Sequence, residues 1–269
     1  MIDKIISLMT DFVPPIVLRC YRKAARKDFF TGKYATWEEA KQVSTGYDSD
    51  LILEKVRSSS LKIKNGEAVY ERDSVLFDTI QYSWPLLAGI LWIASQKENH
   101  LNLVDFGGSL GSTYYQNRKF LSHLKEMRWS IVEQKHFVEC GKRDFENEHL
   151  KFYDDLDECF REQRPDAVLL SGVLQYLEKP YSLLDTVRSL GFEYILVDRT
   201  PYLVTGTERL TLQKVPHEIF PASYPCWLLS QQKFLGAMRD RYLLVAEFEG
   251  LDKTDVLDSG FKGFLFRRK

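Results

Sequence analysis

From residue 101 onward, short apolar runs alternate with amphipathic stretches. Leu101, Leu103, Val104 and Phe106 make a first buried run, with Asp105 near its end and Gly107, Gly108 and Gly111 just beyond. Arg128-Trp-Ser-Ile-Val-Glu133, Leu150-Lys-Phe-Tyr153, Pro165-Asp-Ala-Val-Leu-Leu-Ser171 and Tyr194-Ile-Leu-Val-Asp198 follow as further strand candidates. Helical spacing fills the gaps: to about residue 126, then over 135–145, 157–163 and 181–190. Such β-α repetition predicts an α/β fold, a doubly wound parallel sheet with helices on both faces. Ligands of these sheets sit outside the carboxyl ends of the strands. Residues 226–240 read as a helix. The runs 242–248 and 261–267 read as a closing antiparallel hairpin, giving about seven strands.

Ahead of this block the pattern differs. Ile2, Ile5, Ile6, Met9, Phe12 and Val13 recur at helical spacing until Pro14-Pro15 breaks the run, and Arg19, Arg22, Lys23, Arg26 and Lys27 follow. An apolar stripe beside a basic cluster suits peripheral contact with an anionic membrane face; a helix packed on the domain, or on a second copy in a homodimer, is the alternative. Thr36-Trp-Glu-Glu39 predicts a capped helix start, Gly46-Tyr47-Asp48 a turn, and 51–56 more helix. Phe77, Ile80, Trp84, Leu87 and Leu91 predict an apolar helix to Ser95, kinked at Pro85. The expected organisation is an amphipathic and basic segment (1–27), a helical cap (28–97) and a Rossmann-like domain (98–269).

Composition narrows the function. The formal net charge of −1 argues against a generic nucleic-acid binder. No apolar run approaches the roughly 20 residues that span a bilayer, and residues 1–20 do not read as a signal peptide. The four cysteines show no C-x-x-C spacing, so neither a zinc site nor a disulfide framework is indicated and no metal is expected. A cytoplasmic setting fits best.

The candidate chemistry gathers at the predicted carboxyl edge. Gly107, Gly108 and Gly111 let backbone N–H groups approach a ligand, and a following helix start aims partial positive charge at it; a plain tight turn is the competing reading. Glu133, at the end of the second strand, can bond both hydroxyls of a ribose. Asp154 or Asp155 could reach an adenine amino group. Tyr70-Glu-Arg-Asp73 reads either as a solvated charged face or as a lid. Tyr176 is divided between core packing and lining a pocket. The long segment 199–224 carries Arg199, Arg209, Tyr202, Tyr224 and His217; its aromatics suit a sugar face and its arginines suit phosphate or carboxylate.

Asp105-x-Gly-Gly-x-x-Gly111, Glu133 and Ser171-Gly-Val-Leu-Gln-Tyr-Leu-Glu-Lys-Pro180 together resemble a class I S-adenosylmethionine-dependent methyltransferase. The last segment is similar to that superfamily's V-L-H-H-L-x-x-P signature, with Gln175 and Tyr176 in place of the histidines. The glycine spacing departs from the commoner E/D-x-G-x-G-x-G. The resemblance implies S-adenosylmethionine as cofactor, its methionine end on the glycine turn and its ribose on Glu133, with Asp105, Asp154, Asp155, Ser171, Gly172 and Tyr176 around it. Tyr34-Ala-Thr-Trp-Glu-Glu-Ala40, Gly46-Tyr47-Asp48 and the run 66–77 resemble a small group of bacterial methyltransferases associated with surface-polysaccharide (O-antigen-type) biosynthesis. That implies a hydroxyl of a sugar or glycan intermediate as acceptor and Arg199, Tyr202, Arg209 and Tyr224 as its contacts. His217, the only side chain of the 199–224 segment with an ordinary pKa near neutrality, is the first candidate for a general base and Asp198 the second, a structural His217 being the rival reading. Two other functions stay open: an NAD-type Rossmann oxidoreductase, which would need a second mononucleotide-binding half, and a non-catalytic methyltransferase-like partner module.

Overall fold

The computed structural model describes residues 29–45, 49–72, 74–215 and 222–269. The expectations for the 1–27 segment, the turn at Gly46-Tyr47-Asp48, Asp73 and His217 lie outside them. In chain order the elements are β1 (Phe30–Tyr34), α1 (Trp37–Val43), α2 (Ser49–Lys64), β2 (Tyr70–Arg72), β3 (Val75–Phe77), α3 (Trp84–Gln96), β4 (His100–Phe106), α4 (Ser112–Leu121), β5 (Glu126–Val132), α5 (Lys135–Asp144), β6 (Leu150–Tyr153), α6 (Leu156–Gln163), β7 (Ala167–Ser171), α7 (Pro180–Leu190), β8 (Tyr194–Leu203), β9 (Arg209–Lys214), β10 (Ser223–Ser230), α8 (Gln231–Met238), β11 (Tyr242–Glu249) and β12 (Ser259–Arg268). A 3₁₀ turn, Leu174–Tyr176, follows β7.

The central strands run β6-β5-β4-β7-β8, all parallel. β12 then pairs antiparallel with β8, and β11 antiparallel with β12. These seven strands form a Rossmann-like doubly wound sheet, five parallel strands followed by two antiparallel ones. Alternate side chains separate onto two faces, as a strand dictates. Leu103, Trp129, Leu169 and Leu196 point into one core, under α2, α3, α4 and α5. Val104, Val168, Ile195 and Phe264 point into the other, under α6, α7 and α8. Helix α5 lies so close to β6 that a Cβ on Gly141 would stand 2.4 Å from the Phe152 ring.

Several elements differ from the sequence reading. β8 does not stop at Asp198 but runs on to Leu203, and its far half is flanked by β12 on one edge and β10 on the other. The expected helix from Cys226 is strand as far as Ser230, because β10 finds hydrogen-bonding partners in both β9 and β8; the helix begins only at Gln231, where the Ser230 hydroxyl caps the Lys233 N–H. β9 and β1 continue the sheet outward from β10. The 28–97 stretch is therefore not wholly helical: β1 belongs to the main sheet and β2–β3 form a separate hairpin. Pro85 starts α3 instead of kinking it, since a missing N–H costs nothing in a first turn. No described helix is long and apolar enough to cross a membrane.

Candidate functional site

The carboxyl edge of the parallel strands presents, in spatial order, Glu133 after β5, the glycine turn after β4, Ser171 at the end of β7, and Asp198-Arg199 in β8. The turn is shaped for close backbone approach. Gly107 and Gly111 have φ of +73° and +96°, and Ser109 is held at +55°. A Cβ on Gly107 would come within 2.7 Å of Val173, so this turn and the one after β7 are pressed together. Gly111 caps α4 and has no side chain, leaving the first-turn N–H groups of that helix to other partners.

Asp105 does not face outward. Its carboxylate is buried beneath the turn, 2.6 Å from where a Gly108 Cβ would be, and accepts a hydrogen bond from the Trp129 indole N–H at 3.2 Å. Burial pushes its carboxyl up to about 7, against the Trp129 bond, which favours the anion. It braces the turn from below. Half-buried Glu133 accepts from the Gln134 N–H at 2.6 Å; burial raises its pKa, while the Gln134 and Ser109 N–H groups pull it back. Of the pair after β6, Asp155 is the N-cap of α6, accepting from the Glu158 N–H at 2.7 Å, so its carboxylate serves the helix. Asp154 is exposed at the strand end.

A small open cleft lies on the β7–β8 side of the turn, bounded by Glu71, Arg72, Ser83, Ser112, Asp198 and Arg199 among others. Ser171 lines it and Gly172, at φ +67°, follows. Asp198 is 1% exposed. Neither of its carboxylate oxygens has a partner of normal hydrogen-bond geometry among the described residues. Burial raises it to about 6, partly offset by the Arg199 N–H and guanidinium and by the nearby Ser83 hydroxyl. Arg199 has φ of +51° inside a strand, a strained conformation for its type, held where the Gln175 side chain donates to its carbonyl at 3.0 Å.

The four expected acceptor contacts part company. Arg199 lines the cleft. Tyr202 is fully buried against Phe234 and Phe264 and forms core, because β8 continues where a loop was expected. Arg209 opens β9 in the outer sheet, opposite Leu228 of β10. Tyr224 is half-buried in β10, edge-on to Tyr176 at 5.2 Å. Tyr176 itself donates from its hydroxyl to Gln213 at 2.9 Å and belongs to this outer packing.

The β2–β3 hairpin was legible only as a charged aromatic run. It lies over the start of α4: the Ser112 hydroxyl donates to buried Glu71, and Gln116 donates to the Tyr70 hydroxyl at 3.2 Å and to the Gln81 carbonyl at 2.7 Å. Asp252, in the β11–β12 loop, joins Arg199 to Arg72 and carried no sequence signal.

No protein-family model matches the sequence, and no curated protein matches it. Solved structures similar in chain trace include the N-terminal domain of EvdMO1 in the presence of SAH and D-fucose, at 13% identity and a TM-score of 0.49, covering 83% of this chain and 98% of that one. Magnesium protoporphyrin IX methyltransferase from Synechocystis PCC 6803 with bound SAH is another, at 10% identity and 0.48, covering 83% and 100%. The glycopeptide N-methyltransferase MtfA complexed with sinefungin is a third, at 9% identity and 0.45, covering 75% and 100%.

Proposed function

We propose that this protein is an S-adenosylmethionine-dependent methyltransferase acting on a hydroxyl of a sugar-containing acceptor in surface-polysaccharide biosynthesis. The observation that carries the reaction class is the edge itself: a positive-φ glycine turn braced by a buried acid, with Glu133 one strand away, on a sheet whose fifth parallel strand is followed in space by antiparallel β12. A dinucleotide oxidoreductase of the classic strand order would complete its second mononucleotide-binding half with a sixth strand parallel to β8, where antiparallel β12 stands. The Tyr34–Ala40 and 66–77 resemblances support the polysaccharide acceptor.

S-adenosylmethionine supplies an already activated methyl group. The chain's work is to place the acceptor in line with it and keep water out. The glycine turn and the α4 N-terminus suit the methionine end, Glu133 the ribose hydroxyls, and Asp154 the adenine side. Asp198 and His217 are the candidates to take the acceptor proton. Calorimetry should detect S-adenosylhomocysteine binding, and Gly107→Val should abolish it, because a side chain there meets Val173 and the φ of +73°. Tight NADH binding with no response to S-adenosylhomocysteine would remove the reading. His217→Ala should lower turnover about 100-fold or more while leaving cofactor affinity nearly unchanged; activity within a few-fold of the parent would make His217 structural and leave the step to positioning alone or to Asp198. Peripheral membrane contact through residues 1–27 would appear as salt-sensitive co-sedimentation with anionic liposomes, lost on deleting that segment.

A further inference from the structure

We infer that Gln175 is a positioning residue: it holds a bulge in β8 that turns the Asp198 carboxylate into the cleft. The inference rests on the reading of Asp198 as a group that meets the acceptor, and goes beyond it in naming what aims that group.

Consecutive residues of a regular strand point to opposite faces. Asp198 and Arg199 are consecutive in β8, yet both line the same cleft. The register with β12 accounts for this. Thr200 stands opposite Lys262 and Val197 opposite Phe264, so Asp198 and Arg199 together oppose Gly263 alone. Two residues against one make a β-bulge, a device that re-aims side chains beside functional sites. Arg199 takes its φ of +51° there, a conformation that a non-glycine residue keeps only where its surroundings impose it.

The turn after β7 imposes it. The Gly172 N–H donates to the Asp198 carbonyl at 3.0 Å, and Gln175 Nε2 donates to the Arg199 carbonyl at 3.0 Å. A main-chain N–H is present whatever the residue, but the second bond needs the Gln175 side chain. Gln175 is buried, and its Oε1 finds no hydrogen-bond partner among the described residues. An amide buried with its oxygen unmatched is a poor choice for packing, since an apolar side chain of similar size would avoid the desolvation cost. What Gln175 contributes is its bond to the strained residue beside Asp198. The charged and polar groups that act on Asp198 are Arg199, Asp252 and the Ser83 hydroxyl at the start of α3. None of them bonds its oxygens with normal geometry, so the main chain that carries the carboxylate sets its direction.

The test is a pH titration by carbon-13 NMR of the full chain labelled at its aspartate carboxyls, with the Asp198 signal assigned by its loss in Asp198→Asn. In the parent it should titrate near pH 6. Gln175→Leu keeps the bulk without the donor; it should release the bulge, let the carboxyl reach water and bring the midpoint down to about 5 or lower, toward the ordinary aspartate value of about 3.9. Should Gln175→Leu fail to fold, Gln175→Met carries the same expectation. Arg199→Gly supplies the decisive background, because glycine takes a positive φ without help: there, adding Gln175→Leu should move the midpoint by less than about a third as much. S-adenosylhomocysteine affinity in Gln175→Leu should stay within about twofold of the parent by calorimetry, since neither the glycine turn nor Glu133 is altered. A Gln175 that only stabilises the fold would weaken it in both backgrounds alike and leave the midpoint in place. An unmoved midpoint, or an equal movement with Arg199 and with glycine at that position, overturns the inference. Lost S-adenosylhomocysteine affinity with the midpoint unmoved assigns Gln175 to the cofactor pocket and equally overturns it. A parent in which Asp198 titrates as an ordinary aspartate overturns the reading of Asp198 first, and a parent that binds no S-adenosylhomocysteine overturns the methyl-transfer reading; this inference falls with either.

Discussion

Asp105 and Asp198 are two buried acids whose pKa values folding raises, to about 7 and about 6. An aspartate in the unfolded chain titrates near 3.9. Between about pH 4 and the folded value, the folded protein holds a proton that the unfolded chain has lost, so stability falls as pH rises through that window and levels off above it. Each group contributes a slope of roughly 1.4 kcal/mol per pH unit there. Denaturant unfolding from pH 4 to 8 should therefore show a decline ending near pH 7. Asp105→Asn should move the end of the decline down to about pH 6, while Asp198→Asn should leave it near pH 7 with a shallower slope below pH 6. A pH profile unchanged by either substitution would mean that neither carboxyl is buried as described. At this scale the sequence was informative about which residues matter and silent about direction. Asp105 is readable as the acid before a glycine turn, yet only the indole of Trp129, 24 positions away, shows that its carboxylate points under the turn.

Helix caps and strand partners decide what the elements are. Thr36 was legible as a cap because its evidence is local: its hydroxyl accepts from the Glu39 N–H at 3.2 Å, and the Glu39 carboxylate answers to the Ala35 N–H at 3.0 Å. Asp155 obeys the same rule at α6, which withdraws it from the adenine side. Asp155→Ala should cost about 1 kcal/mol in chemical unfolding, as N-cap losses do, and leave S-adenosylhomocysteine affinity within a few-fold of the parent. A large affinity loss without a stability loss would return Asp155 to the cofactor. β9 and β10 were missed for the opposite reason. Arg-Leu-Thr-Leu-Gln-Lys214 does alternate, but Cys-Trp-Leu-Leu229 fits a helix start as well as a strand, and only the pairing with β9 and β8 resolves it. The two three-residue strands of the β2–β3 hairpin are too short for any periodicity to mark them.

The whole molecule assembles a cleft from stretches that sequence spacing cannot relate: 70–72, 83–86, 112–116, 171, 198–199 and 251. The parallel core was readable because each βα unit repeats one pattern. The hairpin over the cleft was not, because what holds it is a set of side chains on α4 and around Gln81. Gln116 is the hub of that set, donating both to the Tyr70 hydroxyl and to the Gln81 carbonyl. The hairpin contributes few buried apolar groups, Tyr70 being the chief one, so it belongs to the part of the fold that opens locally at low cost. Removing two hydrogen bonds of ordinary strength, about 1 kcal/mol each, should raise its opening equilibrium roughly 10- to 30-fold. Gln116→Ala should therefore speed amide hydrogen exchange over 70–77 while leaving β4 and β7 unchanged. If the hairpin covers bound cofactor, S-adenosylhomocysteine should protect 70–77 together with 107–112 in the parent. In Gln116→Ala the protection of 70–77 should be lost and the dissociation rate should rise several-fold. Protection confined to the glycine turn, with a dissociation rate indifferent to Gln116, would make the hairpin a fixed wall of the cleft and leave entry and exit to the β8 side.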